Sequence, residues 1–339
     1  MKEDHEHDHE HDNEHDKNHS LVDFLAGDQR ERLKAVHLTS RLEKYASMHQ
    51  RADEMSEYLL SLISQGKKEV KNQLSLSRRL HNCGDWLHFR DYYTIDETRL
   101  HRANFCMKHL LCPLCAARRG SKATMAYMER FSVLLKQDPD LKAYLVTHTV
   151  KDGEDLQERY DHLKGFLRRQ TKARHEASLG KRPLIEMNKA LGGVGSIEVK
   201  KGKKSGLWHP HHHAIWLCHE RPYETRLSDE LLKLTGDSFI VDVAEIDNAD
   251  PLTGFLEVFA YAVKASCMNL PDTLEAFKVL SSQRLINSFG IFRGVEIPED
   301  LTDGTPDEDL PFVDLFYQYF KGSGYSNVQA IKHKTRDKR

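Results

Sequence analysis

Long apolar runs are absent from this 339-residue sequence, and their absence narrows the class of protein. No stretch approaches the roughly 18 consecutive apolar residues that span a bilayer. No apolar core of the kind found in signal peptides follows Met1. A mean hydropathy of -0.64 with 30% charged residues is typical of a soluble chain. We therefore expect a cytoplasmic protein that makes no membrane contact.

An excess of charge of either sign is also lacking, because the formal net charge is only -2. Residues 1–20 nevertheless hold eight acidic residues, six histidines and two lysines, a formal charge of -6. This segment is predicted to be disordered, either as a solubilising tail or as a weak chelator of transition metals. The remainder carries +4, with basic clusters such as "AARRGSK", "FLRRQTKAR" and "KKGKK". Such clusters can meet phosphates or simply form solvated surface.

Cysteine is scarce, with six residues in the chain, four of them in the segment 83–115. In a reducing compartment that grouping favours a metal site over disulfides. The "CPLC" knuckle bends the chain so that two thiolates can bind one tetrahedral Zn²⁺. We predict a closed, structural zinc site, with buried or redox-active thiols as the alternative interpretation. The predicted ligands are Cys83, Cys106, Cys112 and Cys115, with His81 and His109 as alternatives for the fourth position.

Apolar periodicity predicts an α+β protein with no evident repeat. Helical spacing from Asp28, a candidate cap, to about Gln65 predicts an N-terminal helical element that could lie against DNA or a partner. Beyond residue 130 the order β-α-β-β-α-β-α suits an antiparallel sheet flanked by helices. The expected parts are the tail 1–20, a helical region 21–75, a zinc-binding module 76–125, a main domain 130–297, and a segment 298–339 with an acidic linker, a possible helix near 313–320 and a basic tail.

Four histidines lie in the strand-like segment "WHPHHHAIWL". Because alternate side chains of a strand share a face, His209, His211 and His213 should point one way and His212 the other. Imidazoles on one face form a metal-binding surface, and Glu198 comes opposite them if "VKKGKKSGL" closes a hairpin. We predict His211, His213 and Glu198 as ligands of a catalytic ion; a solvent-facing strand glutamate is the alternative for Glu198.

A helix is predicted for "PLTGFLEVFAYAVKAS", where Pro251 suits the first turn. Glu257, Tyr261 and Lys264 follow one another at i, i+4 and i+7, so they should share a polar face. Taken alone, such a face is ordinarily a solvated stripe.

These segments together resemble a known family. "WHPHHHAIWL" resembles the HUH motif, two histidines separated by one bulky residue, of single-strand DNA endonucleases. Within that superfamily the chain most resembles the rolling-circle replication initiators (Rep proteins) of small bacterial plasmids. "NFCMKHLLCPLCAARRGSK" resembles the family's cysteine-rich block, "YLVTHTVKD" its first strand motif and "EVFAYAVK" its C-terminal tyrosine motif. The resemblance spans roughly residues 76–270, and it departs from the family pattern at His212, where a bulky hydrophobic residue is usual.

The resemblance implies an HUH-type fold and a nicking enzyme. Tyr261 would attack the scissile phosphate of origin DNA, forming a 5′-phosphotyrosine and freeing a 3′-hydroxyl that primes synthesis. Glu257 would activate water for the terminating cleavage, and Lys264 would hold the phosphate. The implied cofactors are Mn²⁺ or Mg²⁺ for catalysis, beside the structural Zn²⁺. The implied partners are single- and double-stranded plasmid origin DNA, with a host helicase and polymerase.

Three other interpretations stay open at this point. An HUH transposase or relaxase would use the same chemistry on a different DNA. A histidine-triad nucleotide hydrolase would use His209, His211 and His213 but leave the cysteines and Tyr261 without a role. A zinc-stabilised DNA-binding regulator would have no catalysis, and therefore no need of Glu198, the paired histidines and Tyr261 together.

Overall fold

The computed structural model describes residues 33–202, 204–306 and 309–333. The predicted acidic tail, the Asp28 cap and the last six residues lie outside the described residues. Within these ranges the helices are α1 Leu38–Ser64, α2 Gln73–His81, α3 Pro113–Gln137, α4 Leu156–Ser178, α5 Glu224–Thr235, α6 Leu252–Phe259, α7 Tyr261–Ser266 and α8 Leu270–Leu280. The strands are β1 Trp86–Tyr92, β2 Glu97–Ala103, β3 Lys142–Thr149, β4 Ala190–Lys201, β5 Trp208–Cys218, β6 Ile240–Ile246, β7 Ile286–Gly290, β8 Phe312–Phe320 and β9 Gly324–His333.

Two antiparallel sheets organise the described chain. The first has the strand order β2-β1-β8-β9, and the second has the order β6-β3-β5-β4-β7. Helices pack against the second sheet from several segments, with α4 against β5 and α7 against β4. The predicted α+β class, an antiparallel sheet flanked by helices with a helical N-terminal region, is confirmed. No helix in the described ranges is both long enough and apolar enough to cross a lipid bilayer.

The central sheet follows the sequence pattern closely. The predicted order β-α-β-β-α-β-α beyond residue 130 is formed by β3, α4, β4, β5, α5, β6 and α6. β4 and β5 form a hairpin in which Glu198 pairs with His211, as the predicted hairpin requires. The helix predicted near 252–266 is divided into α6 and α7, which meet at Ala260. This division matters for the site, because it lies between Glu257 and Tyr261.

The C-terminal region differs from the prediction. The aromatic run near 313–320, expected as a possible helix, forms strand β8, which pairs with β1 on one side and β9 on the other. Aromatic contacts support this pairing: Phe316 stacks on His88 with ring centroids 4.3 Å apart, and Tyr317 meets Phe89 edge-on at 5.9 Å. The C-terminal strands and the cysteine-rich module therefore share one sheet.

The N-terminal helix α1 packs into the body of the protein. Tyr45, Met48 and Leu59 are buried in the same core as Cys83 and Leu87 of the cysteine-rich module. The helical element that could lie against DNA or a partner thus packs its apolar residues against the rest of the chain.

A buried charge group fixes the segment predicted as an acidic linker. The Asp303 carboxylate accepts hydrogen bonds from Arg41 Nη2 and Arg118 Nη2, both at 2.6 Å, and from the Leu100 backbone N–H at 2.6 Å. Arg41 lies on α1, Leu100 on β2 and Arg118 on α3. The Asp303 segment is therefore a strap that ties three elements together.

Asp303→Ala should lower the free energy of unfolding by about 3–5 kcal/mol, because two guanidinium groups would stay buried without their counter-charge. Burial alone would raise the pKa of Asp303, but Arg118 and Arg41 outweigh it and hold that pKa below its usual range. The folded pKa lies below the unfolded value of about 3.9, so the stabilisation is complete above about pH 5 and is lost as the pH falls further. Urea unfolding at pH 7 and at acidic pH measures this. Exposed Glu299→Ala is the control, and a cost that does not shrink on acidification would contradict the prediction.

Candidate metal centres and active site

Four cysteine side chains meet in the core of the cysteine-rich module. Sγ of Cys83 lies 3.5 Å from that of Cys112 and 3.6 Å from that of Cys115, and Sγ of Cys106 lies 3.6 Å from that of Cys115. Sulfurs placed tetrahedrally around Zn²⁺ at about 2.3 Å are about 3.8 Å from one another, whereas bonded disulfide sulfurs are about 2.05 Å apart. All four thiols are buried, and the group has the geometry to hold one metal ion.

The local backbone explains how the four sulfurs converge. Cys112 is the extended residue before α3, and Pro113 starts the helix so that Cys115 follows within its first turn. The Cys106 backbone N–H donates to Cys83 Sγ at 3.3 Å. Hydrogen bonds from Cys112 and the other thiols lower the pKa of Cys106, whereas the contact with Cys106 raises the pKa of Cys112 and Cys83, so the four thiols stabilise one thiolate, at Cys106. The group fits zinc without either alternative ligand.

Neither alternative histidine ligand is part of the four-cysteine group. His81 is exposed on α2, and its Nδ1 is 2.6 Å from Asp53 Oδ1. His109 lines a separate cavity beside Arg119, where burial and that arginine lower its pKa to about 4.

The histidines of β5 point alternately to the two faces of the sheet. His211 and His213 share one face, with ring centroids 6.0 Å apart. His212 lies on the opposite face, where its Nδ1 is 3.4 Å from Nδ1 of His148. A side chain at Gly195 would collide with the His212 ring, so the glycine makes room for it. Burial lowers the pKa of His211 to about 3, so the ring is neutral at pH 7, the form that binds metals.

Two threonines of β3 orient the paired imidazoles. Thr147 Oγ1 lies 3.1 Å from His213 Nδ1, and Thr149 Oγ1 lies 3.0 Å from His211 Nδ1. Contacts of this kind at one ring nitrogen fix the direction of the other, as around many metal sites. Nε2 of His211 is buried without a hydrogen-bond partner. A buried nitrogen left unpaired is costly, so this atom fits a site for a metal ion. The two threonines of the motif "YLVTHTVKD" therefore position the two histidine rings.

Four of the predicted site residues come together beside these rings. His213 Nε2 lies 3.2 Å from Glu198 Oε2 and 3.9 Å from Glu257 Oε1. Lys264 Nζ lies 2.8 Å from Glu198 Oε2 and 2.6 Å from Glu257 Oε1. Glu198, His213 and Glu257 form a nitrogen–oxygen donor set that could hold a metal ion, while His211 adjoins this set without being part of it.

Charge explains why the two carboxylates can lie so close. Burial would raise the pKa of Glu198, but Lys264 and His213 outweigh it and hold that pKa well below its usual range. Burial would likewise lower the pKa of Lys264, but Glu198 and Glu257 raise it. Glu198 and Lys264 are therefore both ionised at neutral pH, with the lysine cation at the point where the carboxylates converge. Lys264, predicted to hold a DNA phosphate, is paired with carboxylates in this structure.

Tyr261 lies outside this group. Its side chain is only 5% exposed and lines a cavity of about 850 Å³, where it faces Arg119. Burial raises the pKa of Tyr261, and the Arg119 guanidinium opposes part of that rise. The predicted shared face is therefore realised by Glu257 and Lys264 only. Arg119 was not among the predicted site residues; the basic cluster "AARRGSK" was the one signal for it.

The central part of the chain is similar in sequence to known proteins. A family model described as "Replication protein" matches residues 97–233. A curated "Protein rep" from Streptococcus pneumoniae serotype 2 (strain D39 / NCTC 7466) is 29% identical over 154 residues, 44% of either chain. A "Protein rep" from Lactiplantibacillus plantarum is 29% identical over 133 residues, 39% of either chain. The matches thus span less than half of these relatives, and no solved structure matches significantly. The family match covers three of the four clustered cysteines and the histidine strand, and it ends before Glu257 and Tyr261.

Proposed function

Since the resemblance to plasmid replication proteins of the Rep type is confirmed through residues 97–233, we propose that this chain initiates replication by nicking one strand of its plasmid origin. The observation that carries the proposal is the donor set at β4 and β5. His213 and Glu198 converge there beside the unpaired Nε2 of His211. Single- and double-stranded origin DNA would be the partners.

His211, His213 and Glu198 would hold the catalytic ion, Mn²⁺ or Mg²⁺. Once bound, such an ion polarises a phosphoryl oxygen and neutralises charge in the transition state. Tyr261 would supply the nucleophile: its oxygen bonds to phosphorus while the bond from phosphorus to the 3′ oxygen breaks. The products are a 5′-phosphotyrosine and a 3′-hydroxyl that a polymerase can extend. Glu257 would later take a proton from the water that hydrolyses this ester.

The sheet geometry supports the participation of Tyr261. Ile286 of β7 lines the Tyr261 cavity, and it pairs with Ser196 of β4, which in turn pairs with His213. Residues paired directly across strands share a face of the sheet. The cavity and the donor set therefore lie on the same side of the sheet, two strands apart, and α6 packs over the buried Ser196 between them.

The decisive experiment is incubation with end-labelled single-stranded origin DNA and Mn²⁺ or Mg²⁺, followed by denaturing electrophoresis. A covalent protein–DNA adduct that requires the ion supports the proposal. Tight origin binding with no cleavage under any divalent ion would identify a regulator instead.

His213→Ala and His211→Ala should each reduce the cleavage rate by more than about 100-fold, because loss of a ligand exceeds the 10–100-fold cost of disturbing its supporting contacts. Affinity for duplex origin DNA should change little, since that affinity depends on basic clusters. Gel-shift and nicking assays on the same proteins measure both quantities. Exposed His219→Ala is the matched control. Wild-type cleavage in either variant would show that the ligand assignment is wrong.

A further inference from the structure

The cavity around Tyr261 is strongly basic. It is lined by residues 107–110 and Arg119 of the cysteine-rich module, by Tyr127 and Tyr261, and by residues between 277 and 297 around β7. Its walls carry Lys108, Arg119, Arg284 and Arg293, and none of the described residues that line it is acidic. A cavity with this charge has the complementarity that a phosphate needs.

The adjacent residues Arg118 and Arg119 have different contacts in the structure. Arg118 is committed to Asp303 and the carbonyl oxygen of Leu301, so its charge is neutralised inside the fold. Arg119 faces the Tyr261 hydroxyl, and its Nε is buried without a hydrogen-bond partner. A buried donor of a charged group is costly to leave unpaired, and an anionic ligand would satisfy it.

The cavity also suits a nucleobase. Tyr127, Tyr261 and Phe277 line it, and Phe277 is the one of these aromatic residues that is partly exposed. Base–aromatic stacking is worth about 1–3 kcal/mol per base and tolerates any sequence. The volume of about 850 Å³ lies within the range of about 300–1,000 Å³ typical of small-ligand sites.

A second groove continues from this cavity. Lys108, Phe277 and Ser281 line both, and the groove extends past Lys71, Arg79 and the ion pair between Lys278 and Glu69. A single strand leaving the cavity would therefore meet a net positive charge from Lys71 and Arg79.

We propose that the Tyr261 cavity seats a nucleotide of the cleaved strand next to the scissile phosphate. Arg119 binds a backbone phosphate there and positions the Tyr261 hydroxyl. The cysteine-rich module thus contributes directly to the DNA site, beyond its structural part. This inference rests on the proposed nicking function, because it takes the bound strand to be the substrate of Tyr261.

The test measures the binding of a fluorescent single-stranded origin oligonucleotide on a Tyr261→Phe background, so that cleavage cannot interfere. Arg119→Ala should weaken binding at low salt by about tenfold or more, the cost of a lost charged hydrogen bond. Between about 50 and 200 mM salt, the slope of log affinity against log salt should fall by about 0.7, the value for one phosphate contact on a single strand. Arg119→Lys should keep most of that slope.

Exposed Arg102→Ala, on β2 outside the cavity, is the matched control and should keep the parental slope. Should Arg119→Ala prove unstable, Arg119→Gln removes the charge with less loss of packing. An unchanged slope in the Arg119 variants, or an equal fall in the Arg102 variant, would overturn the proposal. Adduct formation by the protein with Tyr261 intact is scored separately. If the salt slope changes but no adduct forms, the cavity binds a phosphate and the proposed nicking function is wrong. If an adduct forms but the salt slope is unchanged, the nicking function is supported and the role of Arg119 is wrong.

Discussion

A Tyr261→Phe variant should form no covalent adduct with origin DNA, because the substitution removes the attacking oxygen and keeps the ring. Packing in the cavity should change little, so the variant should stay folded and bind DNA. Denaturing gels of reactions with labelled DNA and Mn²⁺ measure the adduct, and mass spectrometry of the wild-type adduct identifies the modified residue. Tyr317→Phe, on β8, is the matched control. An adduct that maps to Tyr317 or to another tyrosine would overturn the assignment.

A Glu257→Ala variant, in contrast, should form the covalent adduct and then fail to release it. If Glu257 activates water only for the terminating step, the variant still nicks and still forms the adduct. Loss of a general base slows a step by roughly 10²–10⁴-fold, so adduct should accumulate with time. The structure offers a second possibility, since Glu257 contacts both Lys264 and His213. Failure of the first nick in Glu257→Ala would show that the residue serves the donor set rather than termination.

Removal of metal from the cysteine group should unfold the cysteine-rich module. The free energy of Zn²⁺ binding in small zinc domains is about 10–16 kcal/mol, comparable with the whole stability of a typical domain, about 5–15 kcal/mol. A strong chelator or Cys112→Ser should therefore abolish the cooperative unfolding of this part, as seen by circular dichroism and proteolysis. Cys267→Ser, outside the group, is the matched control.

Elemental analysis of the purified chain should find one zinc per molecule. Absence of zinc, with the thiols of Cys83, Cys106, Cys112 and Cys115 all freely titratable in the folded protein, would contradict the assignment.

Local pattern accounts for the parts of the site that the sequence could predict. The two-residue period of β5 places His211 and His213 on one face, and the short hairpin before it brings Glu198 opposite. The spacing of the cysteines likewise predicted the four thiols that lie together in the structure. In these cases the partners are close in sequence or share a recognisable motif, so periodicity and spacing were sufficient.

Long-range packing accounts for what the sequence could not predict. Asp303 meets Arg41 across 262 positions and Arg118 across 185. Periodicity and residue spacing within a short segment cannot predict ion pairs between residues so far apart in sequence. The aromatic run of β8 is apolar enough for either a helix or a strand, and its pairing with β1 and β9 decides the outcome. The break at Ala260 separates Tyr261 from Glu257, although regular helical spacing would have kept them together.

The sheet that joins the cysteine-rich module to the C-terminal strands has a consequence for biosynthesis. During translation β1 emerges more than 200 residues before β8, so one of its edges is unpaired until residues 312–320 have left the ribosome. Unpaired strand edges promote association between chains. The Tyr325 hydroxyl, which donates to the Gly84 carbonyl beside Cys83, arrives later still. Synthesis of the last strands therefore sets the earliest moment at which the cysteine-rich module can complete its native fold.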